Sequence, residues 1–406
     1  MAVHADPDQP LRLLQVIARL NPHHGGPIDG ARQLAAIWRA QGHEVDFLTL
    51  DAPGADYLDE ADAAHALGRP RPTGQHGRRE PFLHRFGYSR DFNTWLKRNH
   101  SRYDAVIVHA LWNYATLAAR QVLVNGPTPY FVFPHGVLDP WFKTSRLKHI
   151  AKSIIWPISE GRLLNRANAV LFTTEEERRL AEGFYWPYDV RSEVVGFGSS
   201  DVPCHPERQV AAFRAAVPML KDRPFLLFVG RIHRVKACDL LIEAFASVAD
   251  DHPTLDLVMA GPDQSGWRAE LEMLVRARGI EGRVHWTGMI EGDVKWGAYR
   301  CAEAFALTSH TENFGVVVAE ALACGRPVLL SDKVKLWREV VDCGAGMVET
   351  NTKQGACRLL RRFLALSPGE RKAMAERARG CFVANFRMET TASRIIDVIR
   401  RRGNLP

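Results

Sequence analysis

The 406 residues carry 53 Lys and Arg against 46 Asp and Glu, a formal charge of +7, with 46% hydrophobic and 24% charged residues. That length exceeds one ordinary core and fits two domains of roughly 200 residues, and the balance excludes a disordered chain. The best apolar run, Phe314 to Leu330, is interrupted by Glu320 and Arg326, short of the ~18 uncharged residues of a membrane span.

Met1 to Pro10 carries acids and prolines and lacks a basic-then-apolar leader pattern. The first strand is Leu11 to Ile17, followed by the turn-rich loop Asn21-Pro22-His23-His24-Gly25-Gly26-Pro27. A helix from about Gly30 to Gln41 places Leu34, Ile37 and Trp38 on one face and stops at Gly42. Glu44 to Leu50 is the next strand, so the order strand, glycine loop, helix, strand opens a parallel α/β sheet. Ala55 to Gly77 has no periodicity and reads as a long surface loop. Strands resume at Ala105 to Val108, Tyr130 to Phe133, Ala169 to Phe172 and Val194-Val195, with helical stretches between them. Gly196 to Pro206 has the composition of an interdomain linker.

The second half repeats the pattern. Strands are expected at Phe225 to Val229, Leu255 to Met259, Val284 to Trp286, Ala304 to Leu307 and Pro327 to Leu330, with helices at Asp239 to Ala249, Trp267 to Arg278 and Val316 to Cys324. The alternation predicts an α/β protein of two doubly wound, Rossmann-like domains facing each other across a cleft. Residues 1–204 would form the first domain and 205–384 the second, with a C-terminal helix of about 385–406 crossing back to the first. The seven cysteines form no CxxC pair, which argues against zinc or a disulfide framework and for reduced thiols in a cytoplasm.

The segment Ser309-His310-Thr311-Glu312-Asn313-Phe314-Gly315-Val316 runs from a strand end through a polar loop into a helix start. Helix starts present unpaired N–H groups and a positive dipole end to anions, and Gly315 allows close approach. Glu312 precedes this start and Glu320 follows it, about 7 Å further along the helix from Gly315. A diphosphate over the helix start would have one carboxylate at each end, which suits a nucleotide sugar. Taken alone, the two acids fit a capping residue and an ordinary helix-face acid equally well. Phe228 to Phe245 holds a second pattern, with Arg231 just past a strand end and Lys236 at the mouth of the next helix. Two cations so placed can neutralise a diphosphate without a metal, although such a pair alone also fits a solvated basic loop.

Together the two blocks, Gly-Arg-x4-Lys and Glu-x7-Glu about 80 residues apart, resemble glycosyltransferase family 4, whose fold is GT-B. The resemblance covers nearly the whole chain. Gly25-Gly26 is similar to that family's N-terminal glycine loop, and Pro134-His135-Gly136 to the loop of its donor-sugar histidine. Ala260-Gly261-Pro262 and Thr287-Gly288-Met289 fall in the family's order. The chain departs from the usual Asn-Gly-Val-Asp linker turn, having Gly198-Ser199-Ser200-Asp201, and from the usual Lys-Gly pair, having Lys236-Ala237. The resemblance implies that Arg231 and Lys236 stabilise the leaving diphosphate with the backbone N–H groups of Asn313, Phe314, Gly315 and Val316. It implies that Glu312 holds donor-sugar hydroxyls, Glu320 the ribose, and His135 the donor sugar or phosphate. It implies retention of anomeric configuration by same-face attack, with no obligatory metal or other cofactor.

The charge is uneven. Residues 69–102 hold nine basic residues against two acids, and residues 143–166 six against one, with Phe82, Leu83, Phe86, Ile154, Ile155 and Trp156 among them. That composition suits an anionic membrane or a lipid-diphosphate acceptor as well as a solvated basic face, and it is too local for nucleic acid. The expected partners are a nucleotide-diphosphate sugar, a glycan or lipid-linked acceptor, and an anionic surface at the inner face of the cytoplasmic membrane. Trp112, Trp141 and Trp156 are candidates for an acceptor groove or for the core, and His109 for a cleft or a packed histidine. A retaining sugar transferase is the leading reading. A sugar-nucleotide epimerase on the same fold lacks a reason for the Gly-Arg-x4-Lys block, and a non-catalytic nucleotide-sugar binder lacks one for all four charged groups. A dehydrogenase would need GxGxxG after the first strand, which is missing.

Overall fold

A computed structural model describes residues 9–21, 26–68, 86–140 and 146–405. Within it the chain divides into two compact units, residues 1–197 with 388–406, and residues 198–387. The first break falls ahead of residue 204 because Phe197 packs edge-on to Phe133 and His135 in the first unit. Four residues on, the Asp201 carboxylate is held by Arg379 and Arg387 of the second unit, which draws its pKa down to about 2.

Among its described residues the first unit has strands β1 (Arg12–Ile17), β2 (Glu44–Thr49), β3 (Ala64–Ala66), β4 (Ala105–His109), β5 (Tyr130–Phe133), β6 (Ala169–Phe172) and β7 (Ser192–Val194). They form one parallel sheet in the order β3-β2-β1-β4-β5-β6-β7. The central strands are near-continuous apolar runs because helices cover both faces. The helix Gly26–Ala40 buries Ile28, Ala31, Leu34, Ala35 and Trp38, and the Trp38 indole donates to the Ala392 carbonyl at 3.0 Å. This ties down the C-terminal helix Met388–Gly403, whose Arg401 and Arg402 pair with Glu193 of β7. The expected loop at Ala55 to Gly77 therefore needs correcting, since it contains the edge strand β3. The single helical tail also becomes two helices, Pro368–Asn385 and Met388–Gly403, broken at Phe386 and Arg387.

The second unit has strands β8 (Phe225–Val229), β9 (Asp256–Ala260), β10 (Val284–Gly288), β11 (Ala304–Leu307), β12 (Val328–Ser331) and β13 (Gly346–Glu349). Its parallel sheet runs β10-β9-β8-β11-β12-β13. Strand order reverses between β8 and β11, the switch point where ligands meet the carboxyl ends of such sheets. The first sheet has the corresponding reversal between β1 and β4. No described helix is long and apolar enough to cross a membrane. All seven cysteines are free thiols.

Candidate functional site

At the second unit's switch point, the loop after β8 carries Arg231 and Lys236, and the loop after β11 carries Glu312. The two loops are tied together. His310 N–H donates to the Val235 carbonyl at 2.8 Å, and the Thr308 hydroxyl donates to the Ala237 carbonyl at 2.9 Å. The result is an ion pair between Lys236 Nζ and Glu312 Oε2, both half-buried. Arg231 is exposed, and its guanidinium reaches the Gln264 side-chain oxygen at 3.3 Å with no carboxylate partner among the described residues. Glu312 is fixed further by its backbone, which bridges to Val334, placing Lys335 beside it. Lys335 is buried and donates to Asn313 Oδ1 at 3.0 Å.

Gly315 stands at the N-cap of the helix Val316–Ala323 with φ 72° and has no side chain to cap it. A Cβ on Gly315 would lie 3.0 Å from Glu312 Cγ, so glycine serves both the left-handed turn and the carboxylate beside it. Phe314 is buried against Phe386 at 5.8 Å between ring centroids, which leaves its backbone rather than its ring to meet a ligand. Gly261, after β9, lets the backbone after β8 pack against it, since a Cβ there would sit 1.9 Å from the Gly230 carbonyl oxygen. Met289, after β10, is exposed.

Glu320 lies inside the helix and is buried. Its Oε1 accepts from Lys295 Nζ at 2.5 Å and its Oε2 from the Tyr299 hydroxyl at 3.0 Å. Lys295 and Tyr299 are one turn apart on the helix Gly292–Cys301. Burial and the Glu320 charge push the Tyr299 pKa upward, so its hydroxyl stays a donor. Each acid of the Glu-x7-Glu block thus has its own lysine.

The first unit's switch point is built differently. Gln15 Nε2 donates to the Ala31 carbonyl at 3.2 Å, which turns Oε1 toward His109 Nε2 at 3.0 Å. His109 Nε2 is therefore the protonated nitrogen, and its Nδ1 accepts from His135 Nε2 at 2.9 Å. Burial pushes the His109 pKa down to about 3, and burial with the neighbouring His109 holds His135 well below the ordinary value. Both rings are neutral near pH 7. His135 has φ 53° and stacks on Phe133 at 4.3 Å. Its loop is held by Glu177, which accepts from Gly136 N–H at 2.5 Å and from the Thr173 N–H at 2.7 Å.

The structure thus gathers Arg231, Lys236, Glu312, Asn313, Gly315, Val316 and Gly261 around one set of loop ends, and seats Glu320 one helix turn deeper. His135 belongs to the first unit. Gly26 begins its first helix, while Gly25, like Trp141, His23 and His24, lies outside the described residues. Trp156 is fully buried and donates to the Pro187 carbonyl at 2.7 Å, so it lines no groove. Sequence reasoning missed Lys295, Tyr299, Lys335 and Gln15. The signal for Gln15 was present, a polar side chain between Leu14 and Val16 in a buried strand, where a partner is required.

Two family models match, "Glycosyl transferase 4-like domain" over residues 25–198 and "Glycosyl transferases group 1" over residues 210–380. The chain belongs to glycosyltransferase family 4. Among named relatives of this family, the D-inositol 3-phosphate glycosyltransferase of Kineococcus radiotolerans is 32% identical over 264 residues, 60% of this chain and 59% of that protein. The protein of the same name from Actinosynnema mirum is 33% identical over 232 residues, 55% of each. The matches thus span less than two thirds of these relatives' own lengths. Among solved structures, sucrose-phosphate synthase from Thermosynechococcus elongatus superposes with TM-score 0.73 at 20% identity, covering 97% of this chain and 99% of that one. The glycosyltransferase WaaG of lipopolysaccharide biosynthesis does so with TM-score 0.66 at 18% identity, covering 96% and 99%. At such identities the superpositions show the fold, which is GT-B.

Proposed function

We propose that this family 4 member is a retaining transferase moving a hexose-type sugar from a nucleotide-diphosphate donor to a lipid-linked or polysaccharide acceptor. Its place would be cell-surface glycan assembly at the cytoplasmic face of an anionic membrane. The observation that carries the donor reading is the Lys236–Glu312 pair beside a helix start whose N-cap is a glycine, with Arg231 close by in sequence and free of any described carboxylate. A diphosphate arriving there would draw Lys236 and Arg231 to itself and release Glu312 to accept hydrogen bonds from sugar hydroxyls. In the transfer step the acceptor hydroxyl oxygen bonds to the anomeric carbon as the bond from that carbon to the phosphate oxygen breaks. The departing phosphate oxygen takes the acceptor's proton. Lys236, Arg231 and the N–H groups from Asn313 to Val316 then stabilise the growing charge, a role this reading gives to protein groups rather than to a resident metal. The family resemblance assigns His135 to the donor sugar, and a neutral imidazole suits a hydroxyl.

The acceptor reading draws on WaaG, whose name places it in lipopolysaccharide biosynthesis, whereas the name of the curated relatives specifies a small phosphorylated inositol. A thermal-shift screen with UDP, GDP and ADP sugars tests the donor reading. One class is expected to raise Tm, since ligand at a hundredfold its Kd adds about 2.7 kcal/mol. No shift with any of them would reject it. Transfer products from an α-linked donor should be α-linked by NMR, and a β-linked product would overturn retention.

A further inference from the structure

The helix Arg146–Ile155 and the turn after it have an inverted surface. In a globular domain an amphipathic helix turns its apolar stripe to the core. Here Leu147 is 81% exposed, Ile154 72% and Ile158 68%, with Ile150 and Ile155 also exposed. Leu147, Ile150 and Ile154 recur at helical spacing along the helix, and Ile158 follows them in the turn Trp156–Ile158. The helix is anchored from its other side, where His149 stacks on Tyr185 at 5.1 Å and Trp156 on the same ring at 4.5 Å. The residue after Tyr185 is Trp186, whose indole is 85% exposed. Other exposed large apolar side chains, such as Met219, Met273 and Val341, are scattered along the chain.

Around this patch the charge is basic. Lys152 lies over the Trp112 ring at 4.5 Å, Arg162 and Arg166 are exposed, and Arg146 and Lys148 belong to the same segment. Its acid, Glu160, is buried and committed, accepting from Trp112 N–H and from the Thr116 hydroxyl, each at 3.1 Å. On the adjoining loop the exposed acids are Asp189, beside Asn165, and Glu182, which is paired with Arg178.

We infer that the Leu147–Ile158 stripe and Trp186 are the element by which this chain docks on an anionic lipid surface. A ten-residue helix is too short to span a bilayer, but aliphatic side chains flanked by Lys and Arg lie stably at its interface. An exposed indole is the side chain most suited to the headgroup boundary. A second copy of the chain fits less well, because a two-fold pairing of this face would oppose its own cations. The inference rests on the membrane-side reading above and is independent of the donor chemistry.

The test is sedimentation of the full chain with phosphatidylcholine vesicles, with and without phosphatidylglycerol, comparing wild type with the Ile150→Ser/Ile154→Ser double variant and with Trp186→Phe. Wild type should pellet with anionic vesicles only, and the double variant should bind them at least about tenfold more weakly. A blue shift of tryptophan fluorescence on vesicle addition should shrink in Trp186→Phe. Thermal shift with the nucleotide sugar, unchanged in the variants, shows that fold and donor site are intact. If wild type binds and the double variant binds equally, the stripe is not the docking element although the membrane reading stands. If wild type fails to bind, both fall, and the donor reading is untouched. A wild-type dimer that the double variant dissociates, without lipid binding, would assign the patch to a second copy and overturn the inference.

Discussion

The two switch points of this molecule are built from different chemistry. At the carboxyl ends of β8 and β11 the side chains are ionic, with Lys236 on Glu312, Lys295 on Glu320 and Arg231 exposed. At those of β4 and β5 they are neutral, a chain from the buried Gln15 and His109 to the half-buried His135. On the proposed reading a site for a diphosphate needs cations, and pairing the two half-buried lysines each with a carboxylate avoids leaving a charge uncompensated when no ligand is bound, while Arg231 is left exposed to water. A site that meets a neutral, hydroxylated group needs a known donor and a known acceptor, which a chain of neutral imidazoles provides through its tautomers. The difference is one of what is held ready, charge in one unit and proton direction in the other.

The largest effect should come from breaking the ionic side. Lys236→Ala is expected to lower kcat on the order of 10²–10³-fold, the loss seen when one preorganised donor is removed from a developing anion. Glu312→Ala should be comparable, while Arg231→Ala, whose guanidinium is exposed, should cost about tenfold. Circular dichroism and Tm would confirm the fold in each. Near-normal turnover in Lys236→Ala and Glu312→Ala together would reject the site.

How far this contrast was legible in the sequence depends on where each partner comes from. Both sheets could be read because parallel strands covered on two faces are continuous apolar runs, as in Phe225–Val229 and Ala105–His109. The strands that escaped, Ala64–Ala66 and Gly346–Glu349, sit at sheet edges, are short and only half-buried, and carry no such run. The charged groups of the second unit were visible because Arg231 with Lys236, and Glu312 with Glu320, stand in compact blocks. Their partnerships were not, because Lys236 meets Glu312 from 76 residues away and Gln15 meets His109 from 94. Chain spacing reports what one helix or loop presents, and tertiary pairing decides what it is presented to. Lys295 shows the limit, since nothing local in Gly292–Cys301 marks its face as the one that covers Glu320.

That buried pair gives the next prediction. Lys295→Met would leave Glu320 buried with the Tyr299 hydroxyl as its remaining described partner, and should cost roughly 2–3 kcal/mol of stability. The figure lies at or below the low end for fully buried pairs because Lys295 keeps some contact with water. Tyr299→Phe should cost about 1 kcal/mol, one hydrogen bond. The double variant Lys295→Met/Glu320→Gln should recover most of the first loss, because the uncompensated charge is gone. Denaturant midpoints of the three proteins check this. If the double variant is no more stable than Lys295→Met, the pair is not electrostatically coupled as its geometry indicates.

The smallest effect belongs to the neutral side and appears as a pH dependence. His109 has a folded pKa near 3 against 6.5 when unfolded, so between those values the unfolded chain binds the extra proton. Its contribution is therefore fully present above about pH 6.5 and is lost as pH falls toward 3, with a slope approaching 1.4 kcal/mol per pH unit. His135, shifted in the same direction, adds to the same trend. Replacing His109 by Gln removes one titrating ring while keeping a side chain that can both donate and accept. The variant should lose some stability at neutral pH, yet its Tm should fall less steeply than that of wild type between pH 7 and about 5. A merely structural role for His109 would lower Tm by the same amount at every pH. Parallel profiles would mean that His109 does not stay neutral on folding, and the proton order from Gln15 to His135 would lose its basis. A shallower variant profile would place the acid sensitivity of the first unit in that imidazole chain, apart from the ion pairs of the second.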